Sequence, residues 1–355
     1  MPNIGRIIRL IVGIFVFGWM AWRFAEVVFI DQNYGADTWV RFALSGLILG
    51  GMYALIAIGY TLVYGILFMI NFAHGEVMMI GAFGGYFILE ALHAIPSSAG
   101  AEFTFADSNP ILAVFLAFVA GMGLSALTGF LLEKIAYRPL RSAPRLVPLI
   151  SAIGASIFLQ NAGQLLFGPQ RRDYINPAVL ERGSGWIIPI AGSNVTVTYT
   201  GVFSLVLSIL LMVGLYMLVQ RTKLGRAMRA VAQDKRTASL MGIDVDDVIS
   251  KTFIISGALA GAAGVMWGIH NGLINYYVGF IPGIKAFTAA VVGGIGNIPG
   301  AMIGGLFLGI VEAIGPAVLS IDFQLKDVIA FSILILVLIF RPSGILGEAL
   351  TEEKV

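Results

Sequence analysis

The chain has 355 residues, of which 58% are hydrophobic and only 12% charged, with a formal net charge of +2. A charged share about half the usual one leaves too little polar surface to cover a water-soluble fold. With no cysteine, disulfides, thiolate metal sites and thiol catalysis are excluded, and three histidines leave little room for a metal centre.

These properties point to an all-α polytopic integral membrane protein of the cell membrane, with no cofactor and no nucleic-acid partner. A lipid-crossing helix needs about 20 apolar residues, and eight or nine such stretches are predicted. The first, Ile7 to Trp22, follows Arg6 and Arg9 and has the charged and apolar parts of a signal peptide. No clear small-residue cleavage site precedes Glu26, so it reads as an uncleaved helix with its N-terminus inside. Residues 1–41 form an N-terminal extra helix and linker, 42–341 the transmembrane body and 342–355 a tail.

Phe42 to Met69 and Val77 to Leu92 come next. They are followed by a loop through Asn109 that carries Glu102 and Asp107 but no Lys or Arg, and is placed outside. Ile111 to Leu132 returns to Lys134, Arg138, Arg141 and Arg145, a basic loop that belongs in the cytoplasm. Leu146 to Phe167 leaves again. The outer loop Gly168 to Thr200 ends in VTVTYT, whose alternation suits a short strand or hairpin. Phe203 to Val219 comes back to Arg221 to Lys251, which carries seven Lys/Arg and four Asp/Glu between two uncharged apolar segments. That segment must lie outside lipid, and its basic excess places it in the cytoplasm.

Thr252 to Gly272 then runs outward. Phe280 to Gly315 is too long for one span and contains GGIGNIPG, so a broken or re-entrant segment is expected near Gly293–Gly300. It is either two helices with a turn or a broken helix lining a cavity. Val328 to Phe340 is short, and Arg341 with Lys354 favours a cytoplasmic C-terminus. The direction of the last three spans stays open. Gly257/Gly261, Gly264/Gly268, Gly300/Gly304 and Gly305/Gly309 are spaced for close backbone approach between helices in lipid.

Chemistry-bearing positions are few. Ile70 to Glu76, INFAHGE, ends a run of 34 residues without a formal charge, Phe42 to Gly75. The run is longer than one span, so Asn71, His74 and Glu76 mark a turn or helix break. They either face a cavity or partner at membrane depth, or form a water-exposed cytoplasmic turn that caps the next helix. The expected depth is near the cytoplasmic end. As a hinge beside a translocation path, Asn71 and His74 would orient the break and Glu76 would start the next helix. Gly293, Gly294, Gly296 and Asn297 are the second candidate for such a hinge.

In the charged segment, Arg226 to Met241 reads as one helix without internal Gly or Pro. Met228, Val231, Leu240 and Met241 supply apolar contacts, Ala227, Ala230 and Ala238 a small stripe, and Gly242 the stop. Two readings fit it, a helix on the lipid surface or one docking in a soluble partner's groove. No HExxH, GxSxG or GxxxxGK[ST] occurs, so zincin, serine-hydrolase and P-loop signatures are absent. Buried charges look too few for a proton relay.

Four stretches together resemble one known family. They are GLILGGMYALIAIGYTLVYGI from Gly46, INFAHGEVMMIGAF from Ile70, LGRAMRAVAQDKRTASLMGI from Leu224 and KAFTAAVVGGIGNIPGAMIGGLFLGIVE from Lys285. The chain is similar to branched-chain amino-acid ABC importer permeases of the LivH type. That resemblance implies a transport subunit rather than an enzyme, passing branched-chain or other neutral amino acids delivered by an external substrate-binding protein. It implies as partners a second permease of the LivM type and two cytoplasmic ATPase subunits. It also implies ATPase coupling at Gly225, Arg226, Ala230, Asp234, Ala238 and Gly242. Relatives for urea or short amides are the nearest alternative. A stand-alone channel or secondary transporter, with GGIGN as a re-entrant filter, is the alternative from another class.

Overall fold

The computed structural model of the chain describes residues 18–347 apart from 32–33, 97–103, 142, 145 and 191. The span expected at Ile7 to Trp22 and the tail expected at 342–355 therefore lie mostly outside the described residues. Among those described, eight helical stretches are long and apolar enough to cross a membrane. The main helices are α1 (Ala36–Leu67), α2 (His74–His93), α3 (Pro110–Leu132), α4 (Leu146–Phe167) and α5 (Tyr199–Arg221). Two short helices follow, α6 (Lys223–Gln233) and α7 (Lys235–Leu240), then α8 (Val245–Asn271), α9 (Phe280–Gly293), α10 (Ile298–Leu319) and α11 (Lys326–Phe340).

The sequence explains the lengths. α1 has 32 residues, about 48 Å at 1.5 Å per residue, against a hydrocarbon core of about 30 Å. Its first turns overshoot the lipid, where Trp39 and Phe42 pack with Phe24, Tyr34 and Phe323 as an interfacial aromatic group. α9 has only 14 residues, about 21 Å, and cannot span alone. Phe280 to Gly315 is thus two helices joined by a turn.

Glycine holds the centre together. A Cβ on Gly305 would lie 2.4 Å from Ala54 Cα, and one on Gly309 2.3 Å from the Gly50 nitrogen, so α10 and α1 touch backbone to backbone. Gly257 and Gly261 do the same against α3, and Gly264 against α2. Apolar burial does not drive helices together in lipid, so such contacts supply dispersion instead. On the flanks, Ile157 and Phe158 of α4, Leu210 and Met217 of α5 and Ile335 of α11 stay exposed, as lipid-facing residues should.

Outside the helices, the expected hairpin forms from β2 (Gly185–Ile190) and β3 (Ser193–Thr198), with Gly185 opposite Thr198. A second, two-residue pairing joins β1 (Arg172–Asp173) to β4 (Leu273–Ile274), tying the long outer loop to the end of α8.

Packing settles the parity that the sequence leaves open. α2 and α8 run the same way, because Gly81 meets Gly261 and Gly85 meets Val265. α8 leaves the basic segment, so α2 starts on the same side as that segment and α1 ends there. α10 runs against α1, with Gly46 beside Gly309 and Ala54 beside Gly305, and therefore rises from that side. Ile345 and Leu346 donate to the carbonyls of Val292 and Gly293, returning residues 344–347 to the end where α9 stops and α10 starts. Single cysteines in this cysteine-free chain test the map. Ile187→Cys, on the exposed hairpin, is expected to react with an impermeant thiol reagent on intact cells, and Lys235→Cys only after the membrane is opened. The reverse pattern would invert the topology.

Candidate functional site: a buried polar turn and a basic helix pair

The INFAHGE turn begins where α1 stops. Phe68 takes φ 54°, in the left-handed region that a side chain disfavours, and the chain reverses. It folds back along α1 rather than staying at its end. A Cβ on Gly59 would meet the His74 ring at 2.2 Å, and the Tyr60 and His74 rings lie 4.8 Å apart. Gly59 is eight residues from Leu67, so the motif sits about 12 Å inward from the end of α1.

Asn71, His74 and Glu76 are only 2%, 1% and 1% exposed, which overrules a water-exposed turn. As expected, Glu76 lies in the first turn of α2. Asn71 Oδ1 accepts from the Tyr137 hydroxyl at 2.5 Å. Among the described residues, His74 Nε2 and Glu76 Oε2 lack a hydrogen-bond partner of good geometry.

The start of α9 comes to the same place. A Cβ on Gly279 would lie 1.9 Å from the Gly75 carbonyl oxygen, and one on Gly283 2.8 Å from Gly75 Cα. Neither α2 nor α9 has a side-chain cap at its N-terminus. Two helix starts therefore meet inside the bundle across glycines, an arrangement transporters use around their substrate sites.

GGIGN lies elsewhere. Gly294 and Gly296 take φ 109° and 96°, which glycine tolerates. Asn297 caps α10 by accepting from the Gly300 N–H, and its Nδ2 donates to the Leu346 carbonyl at 2.8 Å. A Cβ on Gly293 would lie 2.0 Å from the Gly300 carbonyl oxygen. This is a tight helix–turn–helix closed by residues 344–347 beside Gly65, apart from the INFAHGE group.

In the basic segment, the single helix expected over Arg226 to Met241 is instead two. The break needs neither Gly nor Pro. Asp234 adopts an extended conformation and accepts from the N–H groups of Arg236 and Thr237, capping α7. The Thr237 hydroxyl, chiefly, and those N–H groups hold the Asp234 carboxyl below the usual range. Met228, Val231 and Ala238 face inward, whereas Leu240 and Met241 are 81% and 79% exposed, so those two make no internal contact. Ala227 and Ala230 are half-buried and Arg226 is exposed. Gly225 is buried at the α5–α6 corner, where a Cβ would lie 2.1 Å from the Val219 carbonyl oxygen. Gly242 takes φ 82° and ends the pair, as expected.

The match to known proteins is of the same extent. Residues 42–338 fit the model of the branched-chain amino acid transport system permease component. Over 310 residues the chain is 46% identical to the high-affinity branched-chain amino acid transport system permease protein BraD of Pseudomonas aeruginosa, covering 87% of this chain and 96% of the relative. The same figures hold for LivH of Escherichia coli K12. A probable LivH of Methanocaldococcus jannaschii is 29% identical over 88% of this chain and 94% of its own. The chain belongs to the branched-chain amino-acid transport permease family. No solved structure matches it. It is an inner-membrane ABC-importer permease subunit, and it works with ATPase and substrate-binding partners.

The permease holds one group of charges that sequence reasoning missed. Lys285 Nζ lies 2.7 Å from Glu312 Oε1 and 2.6 Å from Asp327 Oδ1, and Lys326 Nζ lies 3.4 Å from Glu312. The Lys285 and Glu312 side chains are 4% and 1% exposed, joining α9, α10 and α11. A signal was present. Lys285 and Glu312 bracket an apolar stretch without another charge, and opposite charges at membrane depth are expected to pair.

Proposed function

We propose that the permease carries branched-chain or other neutral amino acids, in a complex with a second, LivM-type permease, two cytoplasmic ATPase subunits and an external substrate-binding protein. The observation that supports the substrate is the near-complete coverage of relatives named for branched-chain amino-acid transport. In this reading α6 and α7 dock on an ATPase, with Arg226, Ala230, Asp234 and Ala238 shaping the docking element and Gly225 and Gly242 fixing its ends. The exposed Leu240 and Met241 support docking, since two neighbouring large apolar side chains at the tip of a cytoplasmic helix fit a groove. Asn71, His74 and Glu76 form the hinge beside the path, and Gly293, Gly294, Gly296 and Asn297 hold the turn through which α9 and α10 move together.

Two measurements test this. Leucine, isoleucine and valine should enter vesicles holding the purified complex only with ATP and binding protein. Uptake of urea or a short amide instead would move the substrate assignment, and flux without ATP would make the protein a channel or secondary transporter. Leu240→Glu with Met241→Glu should lose ATPase co-purification while the permease stays in the membrane. Retention of the ATPase would return the pair to the lipid surface.

A further inference from the structure

Between α3 and α4 the chain carries a π-helical turn, Glu133–Tyr137, followed by a 3-10 turn, Arg138–Leu140. The π geometry adds one residue to the turn and re-aims the side chains on it, and such turns are frequent at functional sites. Here each end of the turn is tied to a different part of the molecule.

On the cytoplasmic side, the fully buried Glu133 carboxylate accepts from Ser250 Oγ at 2.7 Å and pairs with Arg141. Arg138 and Arg141 both pair with Asp246. Asp246 and Ser250 lie in the first two turns of α8, directly after the α6–α7 pair. Lys235 at the start of α7 feels Arg141 as well: partial burial first, and that guanidinium second, lower it below the ordinary lysine value. Toward the bundle interior, Tyr137 is fully buried, its ring 5.6 Å from Phe253, and its hydroxyl donates to Asn71 in the INFAHGE turn. Asn71 and Tyr137 are 66 residues apart in sequence, and Glu133 and Ser250 are 117 apart.

We infer that the turn Glu133–Tyr137 is the mechanical link between the ATPase-docking segment and the buried polar hinge, with Tyr137 as the positioning residue that sets Asn71. The inference rests on the docking reading of α6 and α7. Charge pairs at Asp246 and Glu133 fix the turn to α8, so a displacement of the α7–α8 corner moves the turn as a unit. The stiff Tyr137 ring carries that displacement to Asn71. The bonded chain runs from Asp246 through Arg141, Glu133 and the turn to Asn71 without a break.

The test uses the purified complex of permease, ATPase subunits and binding protein in vesicles, read as substrate moved per ATP hydrolysed. Tyr137→Phe keeps the ring and removes only the hydroxyl. It is expected to lower that ratio about tenfold while ATPase co-purification and hydrolysis stay near wild type. Asp246→Ala should lower the ratio as well. The double variant should match the worse single variant, because both break one link. A merely structural role would reduce transport and hydrolysis in proportion, leaving the ratio unchanged. An unchanged ratio in Tyr137→Phe, or single effects that multiply in the double variant, would overturn the link. Loss of ATPase co-purification from the wild-type chain would instead refute the docking reading, so the two failures are distinct.

Discussion

Lys285→Met is expected to be among the most damaging single changes in this permease. The side chains are similar in length, so the effect is one of charge. Without the ammonium, the Glu312 carboxylate stays 1% exposed, with Lys326 at 3.4 Å as its remaining counter-charge. Breaking a buried ion pair from one side costs about 3–5 kcal/mol, a large part of the usual margin of stability. Glu312→Gln should cost less, since Lys285 keeps Asp327 at 2.6 Å, a residue with 40% side-chain exposure. Removing both charges in Lys285→Met with Glu312→Met should recover much of the loss, because apolar replacements of a buried pair are often neutral. Thermal unfolding in detergent, with the amount of assembled complex, gives the order. If the double variant is as unstable as Lys285→Met, the pair is not what holds α9, α10 and α11 together.

The second large effect is steric. Gly305→Leu should prevent the native bundle from forming. Its Cβ alone would lie 2.4 Å from Ala54 Cα and 2.5 Å from the Ala54 nitrogen. Those are backbone atoms of a buried helix and cannot turn aside as a flexible side chain would. α10 would have to separate from α1 along the Gly46–Gly309 seam, and tight packing is lost over several turns. Gly154→Leu and Gly214→Leu are the controls, with nothing within 4 Å of the added Cβ. Both should insert and assemble like wild type. Equal assembly of Gly305→Leu and the controls would contradict the backbone seam.

The family relationship gives these sites their context. A permease without a nucleotide-binding motif depends on motion delivered from outside the membrane, and such motion needs elements with two stable arrangements. The glycine contacts of Gly75 with Gly279 and Gly283 allow backbone to slide on backbone. The buried Lys285–Glu312 pair lies further along α9 and, with the half-exposed Asp327, ties that helix to α10 and α11. α9 is therefore packed backbone to backbone against α2 at its start and held by charge pairs further on.

What the sequence determined by itself follows from the solvent. Lipid demands about 20 apolar residues per crossing and excludes unpaired charge. Spans such as Leu146–Phe167 could therefore be read locally. Gly242 as a helix stop was legible for the same reason, since a positive φ favours glycine wherever it occurs. Tertiary structure decided what depends on partners far along the chain. Asn71 meets Tyr137 and Lys285 meets Glu312 only once the bundle closes, and neither pairing leaves a period in the sequence. The fold-back of INFAHGE along α1 belongs here too, because a charge-free run gives the length of apolar chain, not the point at which it turns. The break at Asp234 shows the finer limit. Its side chain offers the backbone a cap in place of the next helical hydrogen bond, and it accepts from the N–H groups of Arg236 and Thr237.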